Sequence, residues 1–374
     1  MGHNAILYVN TAFVTECVAM AIVFLALPLP ANKGLNNYRI SLRFLSGAYL
    51  TIAIFKIFVM TFDISLVNFI LMGRLTISSL QAALFTIALI TLLNPQFNTK
   101  SFLYKQIILI LILNILFFLV SSRWGDPKIL NFSELVQFAF HPAMLIRELF
   151  LLYYIFLLVY LTRLFFSQAR LFEKEIDNYF ADSYRLHLPG VRYCFYAALS
   201  IGIGAFLSCF ILSEPWVMIF TFTYTIYYLG FGIYYIQYPR SFIFLEPAIN
   251  KRENIMEELA KAPGRINWDQ LKKQILEDKY YLRDGVNIEE MAHFLKIGRT
   301  TLSTFINNDE RMNFNTWINT LRVEEAKRLM LENPNYNLAQ IAEMIGYSES
   351  SNFSRQFKLI TAETPSVWRQ TRPE

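Results

Sequence analysis

Charge is scarce in this chain. Only 17% of its 374 residues are Asp, Glu, Lys or Arg, and 55% are apolar, whereas a soluble protein is about a quarter charged. Cysteine is scarcer still. Cys17, Cys194 and Cys209 all fall inside apolar runs and read as buried thiols acting as small hydrophobes. The four histidines, His3, His141, His187 and His293, show no metal-ligand spacing, so no metal site is expected. No His/Asp/Glu catalytic cluster stands out, so an enzyme is not expected and no cofactor is implied. The first residues carry no basic region, and Glu16 interrupts the first apolar run, which argues against a cleavable signal peptide. Ile6 stands where N-myristoylation wants Ser or Thr.

What the chain has instead is apolar length. A hydrocarbon core of about 30 Å needs about 20 mostly apolar helical residues. Seven stretches qualify: Ile6–Leu29, Leu42–Phe62, Leu66–Leu93, Phe102–Val120, Leu135–Phe165, Val191–Leu212 and Trp216–Tyr238. Loop charge orients them. Lys33, Arg39 and Arg43 follow the first stretch, Lys100 and Lys105 the third, and Arg163, Arg170, Lys174, Arg185 and Arg192 the fifth. The alternate loops hold Asp63 alone, Arg123 with Lys128, and Glu214 alone. The pattern predicts an outside N-terminus and a cytoplasmic C-terminus.

Ionisable groups within such stretches are costly and mark sites. Glu16, Lys56, Arg74, His141, Arg147 and Glu148 stand out, crowded toward the predicted outer half. Two readings stand. The groups snorkel or pair with one another to hold helices together, or they form an outward-facing cavity for an anionic signal, because Lys56, Arg74 and Arg147 outnumber Glu16 and Glu148. Gly202, Gly204, Gly230 and Gly232 read as close-packing positions rather than phosphate loops.

Beyond the apolar stretches the composition changes. Residues 246–374 hold 18 basic and 19 acidic residues, while the first 245 hold 16 and 10. Gln168–His187 sets Leu171, Phe172, Ile176, Tyr179 and Phe180 at helical spacing among charges, which predicts an amphipathic helix on the membrane or on a partner. Pro247–Lys261 reads as a short helix broken at Pro263-Gly264, either a transmission element or dimer contact, or a solvated spacer.

Two helix-turn-helix patterns follow. Ile288, Met291, Ala292 and Leu295 form an i, i+3, i+4, i+7 stripe, then a turn at Lys296-Ile297-Gly298 and a helix from Arg299 to Asn307 burying Leu302 with Phe305 or Ile306. Leu338, Ile341, Ala342 and Ile345 repeat the stripe. There Gly346 turns the chain, Ser348 suits an N-cap, and the next helix buries Phe353 and Phe357. Arg299, Thr300, Ser303 and Thr304, then Ser350, Ser351, Asn352, Arg355 and Lys358, are left outward as donors suited to phosphates and base edges. The acids Glu289, Glu290, Glu324, Glu325 and Glu343 lie off these helices, which answers the absence of a basic surplus. Asn313–Leu331 predicts an amphipathic linking helix, long enough with its turns to set two recognition helices about one DNA turn, roughly 34 Å, apart.

These residues, IAEMIGYSESSNFSRQFKLITAETPSVWR with FNTWINTLRVEEAKRLM before them, resemble the DNA-binding domain of the AraC/XylS family of bacterial regulators, from about Trp268 to Arg372. Two departures are visible: Ala362 replaces the glycine before Thr-Pro, and Lys296 and Gly298 replace the turn glycine and serine of the first unit. The resemblance implies sequence-specific binding of double-stranded promoter DNA, often with activation through RNA polymerase. The expected fold is all-α: a seven-helix transmembrane domain (1–240, N-terminus outside), a cytoplasmic linker (241–266) and a double helix-turn-helix domain (267–374). The expected function is a one-component transcriptional regulator in the bacterial inner membrane, responding to a signal ligand and able to form a homodimer. The competing reading is a transporter or membrane enzyme with an autoregulatory DNA-binding domain, but no inverted repeat or pair of broken helices supports it.

Overall fold

Long apolar runs with few glycines or prolines become helices. The computed structural model describes residues 2–29, 35–62, 70–182, 189–211, 213–237 and 267–371. The predicted linker 241–266, including the Pro247–Lys261 helix, lies outside the described residues, as do Lys33, Asp63 and Arg185. The described residues form fifteen α-helices and no named strand. Contacts divide the chain into two units, one of residues 1–170 and 188–244, the other of 171–187 and 245–374.

The first unit contains α1 (Gly2–Ala26), α2 (Asn36–Thr61), α3 (Met72–Leu93), α4 (Thr99–Trp124), the short α5 (Phe132–Gln137), most of α6 (Pro142–Asp177), α7 (Pro189–Leu207) and α8 (Glu214–Gln237). Seven of these are long and apolar enough to cross a membrane. The predicted fifth stretch is not one helix. The chain breaks after α5, and α6 restarts at Pro142, whose missing N–H and fixed φ suit a first helical position. The sixth predicted stretch also stops early, at Leu207.

Within this unit α3 is the most enclosed helix, touching α2, α4 and α7, while α1 packs on α2 and α8. Tyrosines knit the interior. Tyr49 donates to the Tyr228 carbonyl at 2.6 Å, Tyr228 donates to Gln81 Oε1 at 2.8 Å, and Gln81 donates to the Ala48 carbonyl at 2.9 Å. These bonds satisfy hydroxyl and amide groups that burial would otherwise leave costly. Gly202, Gly204 and Gly232 sit where a Cβ would press on Leu158, Phe220 and Met20 respectively, as close packing predicts. Gly230 faces open space and is not a packing position.

The outward surface of the unit is apolar. Of α4 only Phe102, Ile110 and Leu113 are buried, leaving Leu111, Ile112, Ile115, Phe118 and Leu119 more than half exposed. Each such half-exposed side chain in water forfeits about 1–2 kcal/mol relative to an apolar medium.

The second unit contains α9 (Trp268–Glu277), a 3₁₀ turn (Tyr280–Leu282), α10 (Ile288–Phe294), α11 (Arg299–Asn308), α12 (Phe314–Glu332), α13 (Leu338–Met344), α14 (Ser350–Thr361) and α15 (Pro365–Gln370). Asparagines start four of these helices. Asn267, Asn287, Asn313 and Asn337 each accept a backbone N–H of the first turn, and Asn337 forms a reciprocal capping box with Gln340. Each cap contributes about 1 kcal/mol. One core joins Val323, Ala326, Leu329 and Met330 of α12 to Ile341, Ala342 and Ile345, to Phe353 and Phe357, and to Trp368.

Candidate nucleic-acid interface and the cavity among the long helices

Both helix-turn-helix units form at the predicted places. In the first, Ile288, Met291, Ala292 and Leu295 are buried, and α11 buries Leu302 and Ile306. Phe305 stacks on Trp268 instead, centroids 5.4 Å apart. In the second, Gly346 adopts φ +84°. A Cβ there would collide with the Leu282 carbonyl and come within 2.9 Å of Arg322 Nη2, so only glycine fits. The two family glycines that this chain lacks also fall on left-handed backbone: Lys296 has φ +57° and Ala362 φ +65°. The substitutions keep the turn geometry and accept its strain.

The predicted DNA-facing set divides. Thr300, Thr304, Ser350, Ser351 and Lys358 are exposed, and Ser303 and Arg355 are half-buried. Asn352 is not outward: it is 8% exposed and accepts a 2.8 Å bond from Arg355 Nη2. It lies one residue before the buried Phe353, on the inner side of α14. Ser348 does not cap that helix; Glu349 holds the N-cap position, without a side-chain cap bond. The helix therefore begins beside a carboxylate, and Ser351 Oγ lies 3.5 Å from it.

Arg299 is engaged from an unexpected side. Its guanidinium lies 4.7 Å from the centre of the Tyr179 ring, and the Tyr179 hydroxyl donates to Glu289. Burial first, then that bond, pushes the Tyr179 phenol up. Tyr179 belongs to a strap, residues 171–182, that lies within the second unit. Of the five apolar positions foreseen for this segment, Phe172, Ile176 and Tyr179 are buried, Phe180 is half-buried and Leu171 is exposed, and helix α6 stops at Asp177. From there the strap runs antiparallel to residues 286–288. Ile288 N–H donates to the Tyr179 carbonyl at 2.9 Å, and Ala181 N–H donates to the Val286 carbonyl at 3.2 Å.

Helix α12 receives the end of the strap on a polar stripe that sequence reasoning missed. Asn315 and Asn319 both donate to the Ala181 carbonyl, at 2.6 and 2.8 Å, and Asn319 accepts from Tyr347. One helical step on, the buried Arg322 donates to the Tyr281 and Arg283 carbonyls at 2.8 and 2.7 Å. Glu325, next in the row, binds Lys279 and Arg328. Its bond with Arg328 holds the carboxyl down near pKa 2, with burial opposing and Lys279 adding to the effect. A signal was available: Asn315, Asn319, Arg322 and Glu325 share one side of a helix whose other inward positions are apolar.

The predicted sensing residues also divide. Lys56 and Arg74 line one cavity of about 130 Å³ in the first unit, along with Ser78, Gln81, Tyr224 and Tyr227. Lys56 is 6% exposed, donates to Asn10 Oδ1 at 3.0 Å and lies 5.5 Å from the centre of the Tyr224 ring. Arg74 donates to the Ser208 carbonyl. Arg147, 1% exposed, pairs with Asp126, and His141 Nε2 lies 3.2 Å from the Trp124 carbonyl. Glu16 and Glu148 are half-buried, and the Glu16 Oε1 atom is buried without a hydrogen-bond partner. None of these last four lines the cavity. None of the six pairs with another of the six in these contacts: Arg147 meets Asp126, while Lys56 and Arg74 share the cavity lining.

Known proteins resemble the second unit. Residues 291–371 match the helix-turn-helix domain family, and the AraC-type resemblance of this region stands on that match. A stretch of 87 residues is 31% identical to the raffinose operon transcriptional regulatory protein RafR of Pediococcus pentosaceus, covering 23% of this chain and 31% of that one. Another of 100 residues is 26% identical to the regulatory protein PocR of Salmonella typhimurium, covering 27% and 33%. The Msm operon regulatory protein of Streptococcus mutans is 26% identical over 98 residues, covering 26% and 34%. The chain spans about a third of the length of these curated relatives. No solved structure matches the chain.

Proposed function

We propose that this chain is a one-component transcriptional regulator embedded in the bacterial cytoplasmic membrane. Residues 1–170 and 188–240 form the membrane domain with the N-terminus outside, 241–266 the linker, and 267–374 together with the inserted segment 171–187 the DNA-binding unit in the cytoplasm. Recognition helices α11 and α14 enter successive major grooves of promoter DNA. Thr300, Ser303, Thr304, Ser350, Ser351, Arg355 and Lys358 supply phosphate and base contacts, joined by Arg299 when it leaves Tyr179.

The observation that carries this reading is the strap. The residues that end helix α6, an apolar helix long enough to span a bilayer, continue directly into the segment bonded to α10 and α12. A shift of α6 on signal binding is thereby delivered to Tyr179 and Arg299, next to the first recognition helix. The apolar outer face of α4 supports lipid as its medium.

Genome-wide occupancy of the full-length chain tests the proposal. Discrete sites upstream of genes, abolished by Arg299→Ala with Lys358→Ala, are expected, and the chain should stay with membranes through an alkaline carbonate wash. Diffuse occupancy indifferent to those substitutions, or release by the wash, refutes it.

A further inference from the structure

Seven helices could hold a DNA reader at a membrane without any cavity among them. This bundle has one, and its lining is lopsided. Two cations reach it, Lys56 from α2 and Arg74 from α3, and among the described residues no carboxylate lines it. The neutral polar groups around them come from several helices: Ser78 and Gln81 of α3, Thr221 and Tyr227 of α8. Most are occupied, Gln81 by Ala48, Thr51 and Tyr228. Tyr227 is not. Its hydroxyl is buried and has no hydrogen-bond partner, a condition that costs about 1–3 kcal/mol if nothing fills it. The remaining walls are apolar, with Ile52, Phe55, Ile77, Phe85 and Phe220 among them.

We propose that this cavity is a binding site for a carboxylate carried on a compact apolar body. Resting on the regulator reading above, the inference names the chemistry of its signal. The carboxylate sits between Lys56 and Arg74 and accepts from the Tyr227 hydroxyl, and the apolar body lies against Phe55, Phe85 and Phe220. Size narrows the class. A dry cavity of about 150 Å³ admits benzene, so 130 Å³ suits a body of one ring or a short alkyl chain. The positive charge excludes amines, and the apolar walls exclude sugars and phosphosugars, whose hydroxyls would go unpaired. Two sources supply such a carboxylate, a free small acid or a fatty acid released from the bilayer.

The full-length chain in lipid nanodiscs, with [14C]benzoate, [14C]palmitate and benzyl alcohol as probes in equilibrium dialysis, tests this. Benzoate should bind saturably at one site per chain and benzyl alcohol should not. Lys56→Met and Arg74→Met should each weaken benzoate at least tenfold. Tyr227→Phe deletes a hydroxyl that bonds to nothing in the protein, so it leaves the fold intact, and it should weaken benzoate about fivefold. Palmitate binding with the same three dependences, in place of benzoate, makes the bilayer the source and keeps the carboxylate contacts but overturns the compact apolar body read from the cavity volume. Equal binding of benzyl alcohol, or carboxylate binding unchanged in a folded Tyr227→Phe chain, overturns the proposal. Promoter DNA binding, measured separately, distinguishes the two levels. Benzoate or palmitate binding that leaves DNA affinity unchanged keeps the site and removes its signalling role. Signal-dependent DNA binding in a chain that takes up neither acid removes the site and keeps the regulator.

Discussion

Gly346 and Gly285 make a matched pair. Both take left-handed φ, +84° and +65°, but a Cβ on Gly285 meets nothing within 4 Å, whereas one on Gly346 meets the Leu282 carbonyl and Arg322 Nη2. Gly285→Ala therefore isolates the conformational cost. A left-handed L-residue costs about 1–2 kcal/mol, offset by about 0.4–1 kcal/mol from a less flexible unfolded chain, so the net is about 1 kcal/mol. Gly346→Ala carries the same cost and must also displace the Leu282 carbonyl or Arg322. The Arg322 guanidinium bonds to the Tyr281 and Arg283 carbonyls, and loosening those bonds leaves a buried cation short of acceptors, at about 1–3 kcal/mol for each group left unsatisfied. With one such group the sum is about 2–4 kcal/mol. Hydrogen exchange on the full chain reads it as loss of protection in α13 and α14, with DNA affinity falling in step. If the two variants lose protection equally, the steric argument is wrong and Gly346 matters only for its φ.

Other expectations follow from single contacts. Asn319→Leu should speed amide exchange of the strap, residues 179–182, by about tenfold, because the Ala181 carbonyl loses one of its two buried donors; unchanged exchange would show that the strap is held elsewhere. Ala362→Gly, at φ +65°, should raise stability by about 0.5–1 kcal/mol in thermal unfolding, and a lower midpoint would contradict that. Glu325 should give the second unit a pH slope. Its carboxyl is held near 2 against a usual 4.5, so the stabilisation is complete above about pH 4.5 and is lost as pH falls toward 2. Glu325→Gln should flatten unfolding midpoints across that window, and an unchanged slope would assign it to other acids.

Periodicity made most of the second unit legible, because the stripes at Ile288–Leu295 and Leu338–Ile345 repeat one pattern at one spacing. Apolar length likewise revealed the long helices. Their ends were harder to read. His141-Pro142 looked like a feature inside a long span, though a proline with its fixed φ and missing N–H starts a helix more readily than it continues one. The Phe353 and Phe357 stripe leaves Asn352 outward, yet a polar side chain beside Phe353 turns inward once Arg355 supplies its bond. The strap was half legible. Its amphipathic pattern showed that it must lie on something, but pairing across more than a hundred residues, Tyr179 to Glu289 and Ala181 to Asn319, leaves no local trace. The cavity drew on residues 52 to 228, and sequence showed its charges without showing which would meet.

The strap has a consequence for how this protein can be taken apart. Its DNA-reading unit is not contiguous in sequence, because residues 171–182 are inserted between helices of the other unit. A fragment beginning near residue 267 would keep every helix from α9 to α15 but lack the Ala181 carbonyl, which accepts from the buried amides of both Asn315 and Asn319, and would leave the Val286–Ile288 edge without its neighbour. Adding the peptide 171–182 in trans should restore what the cut removes, as a split protein is reassembled from its pieces. The reader cannot be lifted out as a cassette, and a graft onto another protein would have to carry both pieces.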